Sequence, residues 1–127
     1  MTMRILLAED DAAMRHYLSR ALQHAGYAVD AVDRGTEAVP LLQSGSYDLL
    51  LSDIVMPEMD GIALAQRCAE ISPLTRVMFI TGFAAVSLKM HDGTGQPARM
   101  LSKPFHLKAL VSEIERLFME DASTLSH

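Results

Sequence analysis

Apolar residues in this chain fall into two alternating rhythms. Residues 3–8 form a short apolar run of strand length. The next segment spaces Met14, Leu18, Ala21, Leu22 and Ala25 along one helical face, with Asp11 placed to cap the helix and Gly26 to stop it. A second strand is expected over 27–32, then a helix over 35–44 that must take up Pro40 by a kink or a late start. In the run 48–53, Leu49, Leu50 and Leu51 follow one another without a polar break, the pattern of a strand covered on both faces. A helix from about 59 to 71, a strand over 76–80 and a short helix from about 83 come next. The polar stretch 91–98 leads into a strand over 98–101. The last helix sets Leu107, Leu110, Val111, Ile114, Leu117 and Phe118 at helical spacing, and the domain is expected to span 1–120, with 121–127 a frayed tail.

Strands that alternate with helices predict an α/β fold, because each parallel crossover needs a helix to return the chain. The expected architecture is flavodoxin-like: a doubly wound, five-stranded parallel sheet of order 2-1-3-4-5 with helices on both faces. That order sets the first and third strands side by side at the switch point, where open α/β sheets bind ligands at their carboxyl edge. Four runs end on residues suited to phosphoryl chemistry: Glu9 and Asp10 after RILLA, Asp53 after DLLLS, Thr81 after RVMFI and Lys103 after RMLS. Crowded carboxylates are relieved by a hard divalent cation with oxygen ligands, and magnesium fits best because it also binds phosphate oxygens. Asp53 is then a nucleophile toward a phosphoryl group, Lys103 neutralises charge and Thr81 donates a hydrogen bond. Asp11 is read as the helix cap rather than a ligand. The five histidines lack metal-ligand spacing.

Composition narrows the classes further. A chain of 127 residues, half of them hydrophobic, makes one domain with a single core. Its formal charge of -5 and scattered Lys and Arg argue against direct binding of nucleic acid or an anionic membrane. The single Cys68 admits no internal disulfide, and no signal peptide or spanning segment is visible, so a cytoplasmic location is expected. An aspartyl phosphatase would want a second acid two residues after its nucleophile; Val55 stands there, which disfavours a hydrolase.

The segments LLAEDDAAMR, LLLSDIVMPEMDG, FITG and LSKPF resemble, in order and spacing, the receiver domain of bacterial two-component response regulators, across essentially the whole chain. The resemblance implies Glu9 and Asp10 as the acidic pair, Asp53 as phospho-acceptor, Val55 as donor of a backbone carbonyl to magnesium, Thr81 as the switch hydroxyl and Lys103 as the phosphate-pairing lysine. It implies that small Gly82 keeps the phosphoryl pocket open and that Lys103–Pro104 is a cis peptide. Receivers usually carry Tyr or Phe three residues before the lysine. Met100 stands there, so the switch must be built differently. Met90, Met100 and Phe105 are expected near a partner face. The resemblance also implies that Val55 and Phe83 stand at the two positions flanking the path of hydrolytic water, and since neither side chain can orient water a long-lived phospho-Asp53 is expected. A closer resemblance, in LLAEDD, LLLSDIVMP, VMFITGFAAV and LSKPFHL, is to single-domain regulators that prime the ClpXP protease when unphosphorylated. It implies a histidine kinase or histidine phosphotransfer protein as donor, with the ClpX unfoldase and degraded substrates as partners. The alternative is a phosphate shuttle within a phosphorelay.

Overall fold

The computed structural model describes residues 2–81, 99–102 and 107–125. In chain order the elements are β1 (Arg4–Ala8), α1 (Ala12–His24), β2 (Ala28–Val32), α2 (Gly35–Ser44), β3 (Leu49–Asp53), α3 (Gly61–Ile71), β4 (Arg76–Thr81), β5 (Arg99–Ser102) and α4 (Leu107–Leu125). The strands are parallel and ordered β2-β1-β3-β4-β5.

Successive side chains of a strand point to opposite faces, and both faces of this sheet are covered. Leu6, Ala8, Leu50, Val77 and Phe79 pack with Ala38 and Leu42 of α2 and Leu64, Ala65 and Cys68 of α3. Their strand neighbours Ile5, Leu7, Leu49, Leu51, Met78 and Ile80 pack on the other face with Leu18 and Leu22 of α1 and Leu110, Ile114 and Leu117 of α4. The unbroken leucine run of β3 is therefore shared between two cores. Cys68 is buried, and burial pushes its thiol up to about 11, as suits a packing residue.

Local chemistry sets the helix ends. Asp11 caps α1 by accepting from the Met14 backbone N–H at 3.0 Å. The same helix stops at Gly26, whose φ of 105° lets the Gly26 and Tyr27 N–H groups turn back to the carbonyls of Gln23 and Leu22. Ala25 is the exposed C-cap and not part of the apolar face. Helix α2 runs through Pro40 unbroken; proline has no N–H to give Thr36 one turn back, and Thr36 is exposed, so water can serve that carbonyl. Helix α3 begins at Gly61 rather than near 59, because Asp60 is its cap. Strand β5 covers 99–102, one residue later than expected. Helix α4 runs from Leu107 to Leu125, and the sequence past Glu120 holds neither Gly nor Pro to end it. The expected helix from 83 and the loop 91–97 lie outside the described residues.

Candidate functional site

The carboxyl ends of β1 and β3 build the site. The register pairs Ala8 with Ser52, so Glu9 and Asp53 leave adjacent strands side by side. A bond from the Glu9 backbone N–H to the Val32 carbonyl at 3.1 Å extends the β1–β2 pairing one residue further. On the other side, the Ile54 N–H donates to the Ile80 carbonyl at 3.3 Å, so the acid of β3 is held between two paired strands. Glu9, Asp10 and Asp53 each offer a carboxylate oxygen, and these oxygens lie within 4.8 Å of one another. Glu9 is fully buried and Asp53 is 8% exposed, whereas Asp10 is open to solvent. The Asp11 backbone N–H reaches a Glu9 carboxylate oxygen at 3.3 Å, and the Arg15 guanidinium donates to the Glu9 carbonyl at 3.0 Å. The start of α1 thus holds Glu9, with a peptide N–H turned toward its negative charge.

Helix α3 seats against the other acid. The Gly61 N–H donates to the Ile54 carbonyl at 2.7 Å and closes the loop 54–60 at its base. A Cβ on Gly61 would overlap the Asp53 carbonyl oxygen, and would lie 3.0 Å from Ile54 Cα and 3.1 Å from the Asp53 carbonyl carbon. That carbonyl oxygen also accepts from the Ser52 hydroxyl at 2.8 Å. Val55 is 58% exposed between the buried Ile54 and Met56. Glu58, at φ 69°, is held by the Thr36 hydroxyl.

The structure brings Glu9, Asp10 and Asp53 together and places Val55 on the adjoining loop. Asp53 pairs with Ile80, so Thr81, the last residue of β4, lies at the same sheet edge; it pairs with Ser102, the last residue of β5. Met100 occupies β5 opposite Phe79. Gly82, Phe83, Met90, Lys103, Pro104 and Phe105, and with them the expected cis peptide and much of the partner face, lie outside the described residues. Sequence reasoning missed Arg15, Glu58 and Gly61. The Asp60–Gly61 pair carried a readable signal, a capping acid directly before a helix. The contacts of Arg15 and Glu58 carried none. A separate groove of about 710 Å³ between α1 and α4 includes none of the three acids.

A parallel α/β sheet with three carboxylates clustered at its switch point belongs to a class that could hold a divalent cation at its carboxyl edge. The match to the response regulator receiver domain over residues 5–115 makes the family specific, and the chain belongs to it. It is 55% identical over 116 residues to the response regulator receiver protein CpdR of Brucella abortus, covering 91% of this chain and 97% of that protein. Among solved structures, a CheY-like receiver domain from Methanospirillum hungatei superposes with a TM-score of 0.85 at 23% identity, covering 98% of this chain and 99% of that one. A response regulator receiver protein from Sinorhizobium medicae gives a TM-score of 0.79 at 32% identity, over 91% and 94% of the two chains. Receivers bind magnesium in an acidic pocket and interact with histidine kinases and phosphotransfer proteins of two-component systems, and the cluster of Glu9, Asp10 and Asp53 is a donor set of that kind. The oxygen-only set fits a hard cation. Among the described residues, no helix is long and apolar enough to cross a membrane.

Proposed function

We propose that Asp53 accepts a phosphoryl group from a phosphohistidine on a kinase or histidine phosphotransfer protein, and that the chain signals in the cytoplasm through protein partners. The observation that carries this is the convergence of three carboxylates within 4.8 Å at the switch point of the sheet. One Asp53 carboxylate oxygen attacks phosphorus, the P–N bond breaks, and its electron pair passes to the imidazole nitrogen, leaving Asp53 as an acyl phosphate. Magnesium, when held by Glu9, Asp10, Asp53 and the Val55 carbonyl, supplies charge neutralisation to the phosphoryl oxygens. Thr81 donates to a phosphoryl oxygen, Gly82 leaves room for the group, and Lys103 pairs with its charge. Because Met100 replaces the usual aromatic, the change is read out by packing at β4 and β5 rather than by an aromatic rotamer.

Mixing the chain with a small-molecule phosphodonor and magnesium should add one phosphoryl group to the intact mass. Asp53→Asn should add none. Stoichiometric uptake by that variant, or uptake without magnesium, would refute the assignment.

Similarity to CpdR over nearly the full length of both chains supports an output as a phosphorylation-controlled adaptor for ClpXP proteolysis, active when Asp53 is unmodified. Met90, Met100 and Phe105 would lie near the face that meets the partner. A pull-down with wild type and Asp53→Ala tests this: an adaptor captures the ClpX unfoldase, while a phosphate shuttle captures only phosphorelay proteins.

A further inference from the structure

The loop 54–60 is held by more than its own ends. Its base is closed by the bond from Gly61 N–H to the Ile54 carbonyl. Its tip carries Glu58 in the left-handed region at φ 69°, a conformation unfavourable for a residue with a Cβ and one that persists only when surrounding contacts hold it. Those contacts come from the β2–α2 edge. The Thr36 hydroxyl donates to a Glu58 carboxylate oxygen at 2.9 Å, and the Arg34 guanidinium lies 3.7 Å from the other. Arg34 is itself steadied by Asp33 at 3.0 Å, a contact that holds the Asp33 carboxyl below its ordinary range. Beside the clamp, Met59 lies over Gly35, where an added Cβ would stand 3.0 Å from the Met59 carbonyl oxygen. Val55 sits between the closed base and the clamped tip.

We propose that Glu58 and Thr36 form a positioning clamp that sets magnesium affinity by fixing the loop from which Val55 presents its carbonyl. The inference rests on the metal site assigned under Proposed function. The Arg34 pair is more than half exposed on the Glu58 side and contributes little by itself, because water and salt screen it. The Thr36 hydroxyl bond is the shorter and directional contact, and it ties α2 directly to the loop 54–60. Metal binding to a loop already in place avoids the ordering cost that a released loop would incur on binding.

Magnesium binding to the unphosphorylated full chain is measured by titration calorimetry for wild type, Thr36→Val, Glu58→Ala, the double variant and Asp53→Asn, with urea unfolding of each in the absence of metal. Thr36→Val changes no charge, which separates positioning from the attraction of a nearby acid for a cation. Each single change should weaken magnesium binding about 3- to 10-fold, the net scale of one hydrogen bond at a solvent-exposed site. The double variant should be no weaker than Glu58→Ala, since both changes cut the same contact. Glu58→Gln, which keeps an acceptor for Thr36, should restore most of the affinity. Unchanged affinity in Thr36→Val, or additive losses in the double variant, would overturn the clamp and leave the metal site standing. A wild type that binds magnesium no better than Asp53→Asn would overturn both.

Discussion

Gly61→Ala sets two opposing effects against each other, and their sizes decide the sign. Helix propensity alone favours the change: alanine in place of glycine in a helix gains about 1 kcal/mol. The structure opposes it. The new methyl would overlap the Asp53 carbonyl oxygen and sit 3.0 Å from Ile54 Cα, and both are backbone atoms with no rotamer to give way. Forcing atoms into a packed site costs about 1–3 kcal/mol, and tilting α3 away would also forfeit the bond from Gly61 N–H to the Ile54 carbonyl, worth about 1 kcal/mol more. A net destabilisation of about 2 kcal/mol is expected. Urea unfolding followed by circular dichroism should show the midpoint falling by about 1 M. Because the displaced atoms belong to Asp53 and its neighbour, the stabilisation that magnesium gives the wild type should shrink in the variant. Gly26→Ala is the control. No atom lies within 4 Å of its added methyl, so only the φ of 105° opposes it, and the loss should be smaller. A Gly61→Ala protein as stable as wild type would show that propensity outweighs the close approach of α3 to β3, and the packing account of the site would fail.

Asp53→Asn removes one of three crowded charges, so in metal-free buffer it should unfold at a urea concentration no lower than wild type, while losing the stabilisation that magnesium confers; a full magnesium response in the variant would exclude Asp53 from the site. Tyr47 is 6% exposed, and burial together with its bond to Asp30 raises its phenol to about 12 from 10.0. The native state thus favours the neutral phenol, so the associated stability is complete below pH 10 and is lost as pH rises toward 12. Denaturant midpoints should decline over that interval, less steeply in Tyr47→Phe; parallel curves would remove the linkage. Phosphorylated wild type in magnesium buffer should lose its phosphoryl group more slowly than the double variant Val55→Asn and Phe83→Glu, whose polar side chains can position water. Equal decay would show that these two side chains do not set the lifetime. Phe79→Ala, at the centre of the α2–α3 face, should cost about 3–5 kcal/mol in urea unfolding, and a loss under 1 kcal/mol would contradict its burial.

Much of this protein is local in origin and therefore legible in the chain. Apolar runs of strand length, the capping Asp11, the stop at Gly26 and the leucine run of β3 depend on side-chain chemistry within a few residues, and the alternation they set up implies a parallel sheet covered on both sides. The acids at the ends of β1 and β3 stand out for the same reason. Extents were less legible: Pro40 was absorbed because its missing donor faces solvent, and α4 passed Glu120 because nothing in its sequence stops a helix. Tertiary structure alone decided the rest. Glu9 and Asp10 are chain neighbours of similar chemistry, yet one is fully buried and the other exposed, because the turn from β1 into α1 sends one inward. Gly61 becomes indispensable only when α3 is laid against β3, and Glu58 becomes a contact only when Thr36, far away in sequence, arrives beside it. Composition and periodicity carry no record of such meetings, since they are made by strand order and helix docking rather than by the residues on either side.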